Sequence, residues 1–184
     1  MNPSAQDIAR ARSQWVWRGQ ARPPFAVVPA PGQTSVWDFP RPPALEADAR
    51  EVVVHWNGVL LARTCGAIRL LETAHPPCFY LPWTDVDRSL LQPAGGGSFC
   101  EWKGPACYWS LVRGEHRLER IGWSYPEPLT GAQAIADCVA FYAQGLDCTV
   151  GGEPVTPQPG GFYGGWVTPE LVGPFKGGPG SSGW

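Results

Sequence analysis

The sequence predicts a mainly β domain with one short helix late in the chain and extended arms at both ends, and three observations lead there. Glu51 to Arg63 has the pattern of a hairpin around Asn57-Gly58, the strongest short turn signal there is. Cys107 to Trp123 is a second run of β-forming residues, folded about Arg113-Gly114-Glu115. The third is composition: 23 glycines and 21 prolines punctuate a chain of 184 residues that still holds ten tryptophans and 43% hydrophobic residues. Turns and extended arms around an aromatic core account for that mixture better than a solvated coil does.

In chain order, residues 4 to 14 read as a short helix. Residues 15 to 45 then read as an extended arm, because each proline disfavours helix in the residue before it. Val36-Trp-Asp-Phe39 would hold the arm against the domain. Arg18, Arg22 and Arg41 lie beside prolines and read as solvated or stacked on aromatics, without a site. In the first hairpin Val52, Val54 and Trp56 share one side. Ala67 to Glu72 reads as a strand or a helical turn, Cys78 to Leu81 as a strand and Asp85 to Leu91 as one turn. Gly95-Gly96-Gly97 reads as a flexible loop free to move over a ligand. Thr130-Gly-Ala-Gln133 has the form of a capping box, and Ile135, Cys138, Val139 and Tyr142 follow a helical stripe that Gly145 would stop, so a helix is expected there with Cys138 as a buried apolar group. Asp147 to Val150 adds a strand. The remaining residues are poor in charge, and Phe162, Tyr163, Trp166 and Phe175 need a surface to be buried on, either their own domain or that of a neighbour in a homodimer. The expected division is 1–49 for helix and arm, 50–150 for the domain and 151–184 for the second arm.

Charge and cysteines limit the function. A net charge of −2 offers no basic field for nucleic acid, and no apolar run approaches a membrane span. The first fifteen residues lack the apolar run of a signal peptide, so the expectation is a cytoplasmic protein with its six cysteines reduced. His75 and Cys78 could form half of a metal site, but the cysteine spacing matches no usual zinc pattern, and neither metal nor other cofactor is expected.

Ser98 to Pro126 holds the densest chemistry. Phe99-Cys-Glu-Trp-Lys-Gly104 sets a thiol three residues from one of only two lysines, and Gly104-Pro105 would bend both toward a common space. A lysine held beside a thiol would activate it as a nucleophile; Cys100 could equally be an inert buried thiol. The lysine, enclosed by aromatics, would need an anionic partner.

His55-Trp-Asn-Gly58, Leu70-Leu-Glu-Thr73, Pro76-Pro77, Phe79-Tyr-Leu-Pro82, Phe99-Cys-Glu-Trp-Lys-Gly104, Tyr108-Trp109, Trp123-Ser-Tyr-Pro126 and Val139-Ala-Phe-Tyr142 occur in one order at compatible spacings, and together they resemble the DUF427 family over about residues 50 to 150. The resemblance implies an antiparallel β-tent-like fold, shared with methionine sulfoxide reductases of the B type, and no activity. A nucleotidyltransferase reading finds no P-loop or Gly-Ser with paired carboxylates to support it. The matching positions supply the candidate site. Cys100, Lys103 and Glu72 are the catalytic candidates, with Glu72 as acid, base or partner of Lys103; Tyr80, Trp102, Tyr108, Trp109, Trp123 and Tyr125 are the ligand-binding candidates. Two functions follow: binding or transformation of a small anionic or carbonyl-bearing molecule in an aromatic-walled pocket, or an interaction or dimerisation module working through its arms.

Overall fold

The computed structural model describes residues 3–184. Helix α1 (Ala5–Ser13) forms where expected, and Ser4 caps it: Ser4 Oγ accepts from Asp7 N at 3.2 Å, and Asp7 Oδ2 accepts from Ser4 N at 3.2 Å. It is the one α-helix among the described residues, and none is long and apolar enough to cross a membrane. In the arm, β1 (Thr34–Ser35) precedes the domain strands β2 (Ala44–Asp48), β3 (Val52–Trp56), β4 (Val59–Thr64), β5 (Ala67–Leu71) and β6 (Cys78–Pro82). The central stretch gives β7 (Leu91–Cys100), β8 (Gly104–Arg113) and β9 (His116–Ser124), followed by β10 (Cys138–Phe141) and β11 (Asp147–Val150). Two-residue strands complete the chain: β12 (Glu153–Pro154), β13 (Thr156–Pro157), β14 (Trp166–Val167) and β15 (Leu171–Val172).

Seven strands form one antiparallel sheet in the order β2-β5-β6-β10-β9-β8-β7, and four form a second, β12-β11-β3-β4. The first hairpin closes through Asn57 and Gly58, both at positive φ (48° and 75°), as its turn requires. Strand alternation then gives the large sheet two different faces. Phe79, Leu81, Val139 and Phe141 pack against Val52, Val54 and Leu61 of the small sheet in the main core. Tyr80, Trp123, Cys138 and Ala140 point the other way into a second cluster.

Two expectations fail. Residues 130–145 form no helix: Gln133–Ile135 is a single 3₁₀ turn, and Cys138–Phe141 is a strand. Gly131 takes φ 97° and its N–H donates to Gln133 Oε1 at 2.7 Å, so the glutamine closes a local turn instead of a capping box. The strand is buried throughout, and both edges of Cys138–Phe141 pair, to β6 and to β9; central pairing with apolar contacts on both faces overrides the apparent helical stripe. Cys138 is buried as expected, but in a sheet. Gly95-Gly96-Gly97 is likewise no free loop. It forms a bulge within β7, where the register to β8 slips between Ala94 and Gly97, and Gly97 lies so close to Ala106 O that a Cβ there would approach it to 3.1 Å.

The arms are part of the fold. β1 pairs in parallel with β15, and the Trp37 ring, fully buried, donates from Nε1 to Pro174 O at 3.1 Å. Trp17, Phe25 and Trp184 close around it. Trp166 joins the main core itself, its Nε1 donating to Phe141 O at 2.8 Å. The C-terminal segment therefore wraps its own domain.

Candidate functional site

β7 and β8 are joined by the turn Glu101-Trp102-Lys103, with Cys100 and Gly104 as register partners at its base. Gly104 takes φ 101° with Leu129 and Glu127 packed on it, which fixes the turn over the second cluster. The bend thus falls one residue before the Gly104-Pro105 pair. The result is what the spacing suggested: Cys100 and Lys103 line one cavity, of about 770 Å³, together with Glu72, Tyr80, Trp102, Tyr108, Trp123 and Tyr125.

Trp109 is the exception. Tyr108 pairs with Trp123, and Trp123 with Ala140, across the cavity face; Trp109 pairs with Gly122, and Gly122 with Phe141 neighbours, on the opposite one. Its ring packs edge-on against Trp83 at 5.0 Å and its Nε1 donates to Ser124 Oγ at 2.9 Å. Adjacent residues in a strand cannot share a face, so Tyr108 and Trp109 could not both belong to the site.

Glu72 does not partner Lys103. Its Oε1 accepts from Arg41 Nε at 3.1 Å, and the Arg41 side chain, inaccessible to solvent, also donates to the carbonyls of Trp17 and Thr73 and stacks on Trp15. Arg41 is therefore a buried structural cation that stacks on an aromatic ring, the second of the two expectations, and not a solvated one. Burial lowers its guanidinium, and Glu72 offsets part of that.

Lys103 is 8% exposed, and among the described residues its ammonium makes no ion pair and no hydrogen bond; the Tyr125 ring lies 5.6 Å from Nζ. Burial disfavours its charge, but the potential of its neighbours, Cys100 first and then Tyr80, Tyr125 and Glu72, outweighs this and shifts it upward, so it stays cationic. Burial pushes Tyr80 and Tyr125 upward as well, leaving both phenols protonated near neutral pH. Tyr80 Oη accepts from Trp123 Nε1 at 3.4 Å, which leaves its own proton free to donate. An ammonium with two phenols beside it is a donor-rich corner; of the carboxylates that line the cavity, Glu72 is bonded to Arg41 and Glu101 Oε1 accepts from Trp15 Nε1 at 2.9 Å.

Other lining residues carried no signal strong enough to single out for this site. His75, in the β5–β6 connection, is held by Gln158 of the C-terminal segment. The Gln158 amide donates to Lys176 O at 2.7 Å and accepts from Gly165 N at 3.0 Å through Oε1, so its NH₂ also donates to His75 Nδ1 at 2.9 Å. Burial, with Arg41, Lys176 and Lys103 nearby, holds the imidazole neutral, well below its ordinary value, and this bond assigns its proton to Nε2. Cys78 also lines the cavity, its thiol pushed up to about 12 by burial. Arg120, at φ 51° in a β-bulge, lies over Tyr108 at 3.9 Å and donates to Gly95 O at 3.2 Å. Gly161, Phe162, Tyr163 and Gly164 form the remaining wall. Among the described residues no group of three or more His, Cys, Asp or Glu gathers to hold a metal ion.

The model of a family described as a domain of unknown function, DUF427, matches residues 44–152, which include every strand of the two large sheets except β12. The match leaves out both arms, and so Gln158 and the Phe162 wall. No curated protein matches the chain.

Proposed function

Since this chain belongs to the DUF427 family by that match, and the family supplies a fold without an activity, we propose from the site alone that the protein binds a small organic anion or carbonyl compound in the aromatic-walled cavity. One observation carries the reading: a buried lysine ammonium without a counter-ion, bordering a cavity of a size usual for small-molecule sites. A carboxylate there would accept from an ammonium that makes no hydrogen bond among the described residues, and Tyr80 and Tyr125 would donate to it. Cys100, half-buried at the base of the same turn, is the group available for a covalent step. The test is native mass spectrometry of freshly purified protein and of Lys103→Met. A retained small anion in the wild type that the variant lacks is the expected result; an equal load in both, or failure of any carboxylate in a ligand panel to raise the wild-type melting temperature, overturns it.

A second reading, an interaction or dimerisation module, draws on the exposed Val16, Phe25, Val27 and Val28 of the N-terminal arm. Light scattering across a concentration series tests it: a constant monomer mass removes the dimer.

A further inference from the structure

The wall opposite the sheet comes from the loop between β13 and β14, and it is built to stay in place. A Cβ on Gly160 would lie 2.0 Å from Gly177 O, one on Gly164 2.0 Å from Trp123 Cη2, and one on Gly165 2.4 Å from Pro76 O. Backbone thus sits hard against backbone and ring at both ends of Gly161–Tyr163. At the centre, Phe162 O accepts from Tyr142 Oη at 3.4 Å, and the Phe162 ring meets Tyr163 edge-on at 4.9 Å. Yet Phe162 is 77% exposed while lining the cavity. Tyr108, Trp123 and Tyr142 line the same cavity, the last two with ring centroids 4.6 Å apart.

We propose that this loop makes the cavity selective for aryl carboxylates, the carboxylate meeting Lys103 and the flat ring lying between Phe162 and the Trp123–Tyr142 pair; the inference rests on the anion-binding reading above. Rings on both sides favour a flat, polarisable body over a flexible chain, which would lose more conformational freedom on entering. Of the two cations that line the cavity, Arg120 lies over Tyr108 and donates to Gly95 O, and Lys103 alone makes no hydrogen bond among the described residues, which suits a monoanion. The Phe162 ring then gains the cover it lacks. The loop lies outside the residues matched by the family, so the C-terminal segment supplies Phe162 and the family domain supplies Lys103, Trp123 and Tyr142.

Isothermal titration calorimetry of the full chain with 2-naphthoate, 2-naphthol and decanoate, on wild type, Phe162→Ala and Lys103→Met, tests both layers. 2-Naphthoate should bind more tightly than decanoate, and more tightly than 2-naphthol by about tenfold or more. Phe162→Ala, a change at an exposed ring, should weaken 2-naphthoate about three- to tenfold with no change in melting temperature. Lys103→Met should bring 2-naphthoate down to the level of 2-naphthol. A Lys103→Met effect without a Phe162→Ala effect, or decanoate binding as tightly as 2-naphthoate, overturns the aryl selectivity and leaves anion binding standing. Insensitivity to Lys103→Met overturns both, as does the absence of binding by all three probes.

Discussion

Two buried cations behave differently because one has a carboxylate and the other does not. Arg41 is held by Glu72 and two carbonyls, so Glu72→Gln strips charge from a satisfied buried pair and should cost about 3 kcal/mol or more. Lys103 has no ion pair, yet against the cost of burial the groups around it, Cys100 first and then Tyr80, Tyr125 and Glu72, hold its ammonium above the usual range, so Lys103→Met removes a charge that the fold favours. Thermal melts at neutral pH should therefore show Glu72→Gln well below wild type and Lys103→Met below it by less. The reverse order would mean that Lys103 is the structural cation. The same substitution reports on Cys100. If the ammonium activates that thiol, site-resolved alkylation with iodoacetamide should slow at Cys100 in Lys103→Met and stay unchanged at the exposed Cys65 and Cys107. Equal rates at Cys100 in both proteins would remove Lys103 as its activator, and an unreactive Cys100 would remove it as a nucleophile.

Connections between strands, more than the strands, set the site. The loop from β13 to β14 leaves no room for side chains at Gly164, so Gly164→Ala should displace either the loop or the Trp123 ring, at about 1–3 kcal/mol. Urea titration with tryptophan fluorescence reads both; an unchanged midpoint and spectrum would show the loop to be loose. The β5–β6 connection carries His75, neutral in the fold and with an ordinary value of 6.5 when unfolded. Below pH 6.5 the unfolded chain takes up a proton that the folded one refuses, so stability falls with falling pH from that point and is fully present above it. The urea midpoint should drop between pH 7 and pH 5, before Asp48 and Glu170, which are lowered mainly by their Arg50 bonds, begin to protonate. His75→Gln should flatten that slope; an unchanged slope would place the acid sensitivity elsewhere.

On the scale of the molecule the C-terminal segment acts as core, not as an appendage. Trp166 is fully buried among Phe79, Phe141 and their neighbours, and truncation to Ala at such a site costs about 3–5 kcal/mol. Removing everything after Gly152 also takes away Gln158, the β15 partner of β1 and the cap on Trp37. The chain ended at Gly152 should lose solubility or melt far below the full-length protein by differential scanning calorimetry. Identical melting of the two would make the segment a linker.

The sequence by itself determined the hairpins, the N-terminal helix and the meeting of Cys100 with Lys103, since each depends on residues within a few positions: Asn57-Gly58 for positive φ, Ser4 and Asp7 for the cap, and a three-residue turn for the thiol and amine. It also contained the parity that separates Tyr108 from Trp109. Only the tertiary structure decided the rest. Cys138–Phe141 is a strand because β6 and β9 pair with it on both sides, and four consecutive buried residues leave no alternation by which to tell strand from helix. Glu72 pairs with Arg41, 31 positions away, and Gln158 fixes His75 across 83, so neither bond leaves a local trace. Lys103 is left without an ion pair because Glu72, its expected partner, is bonded to Arg41, and only the fold brings Arg41 to it.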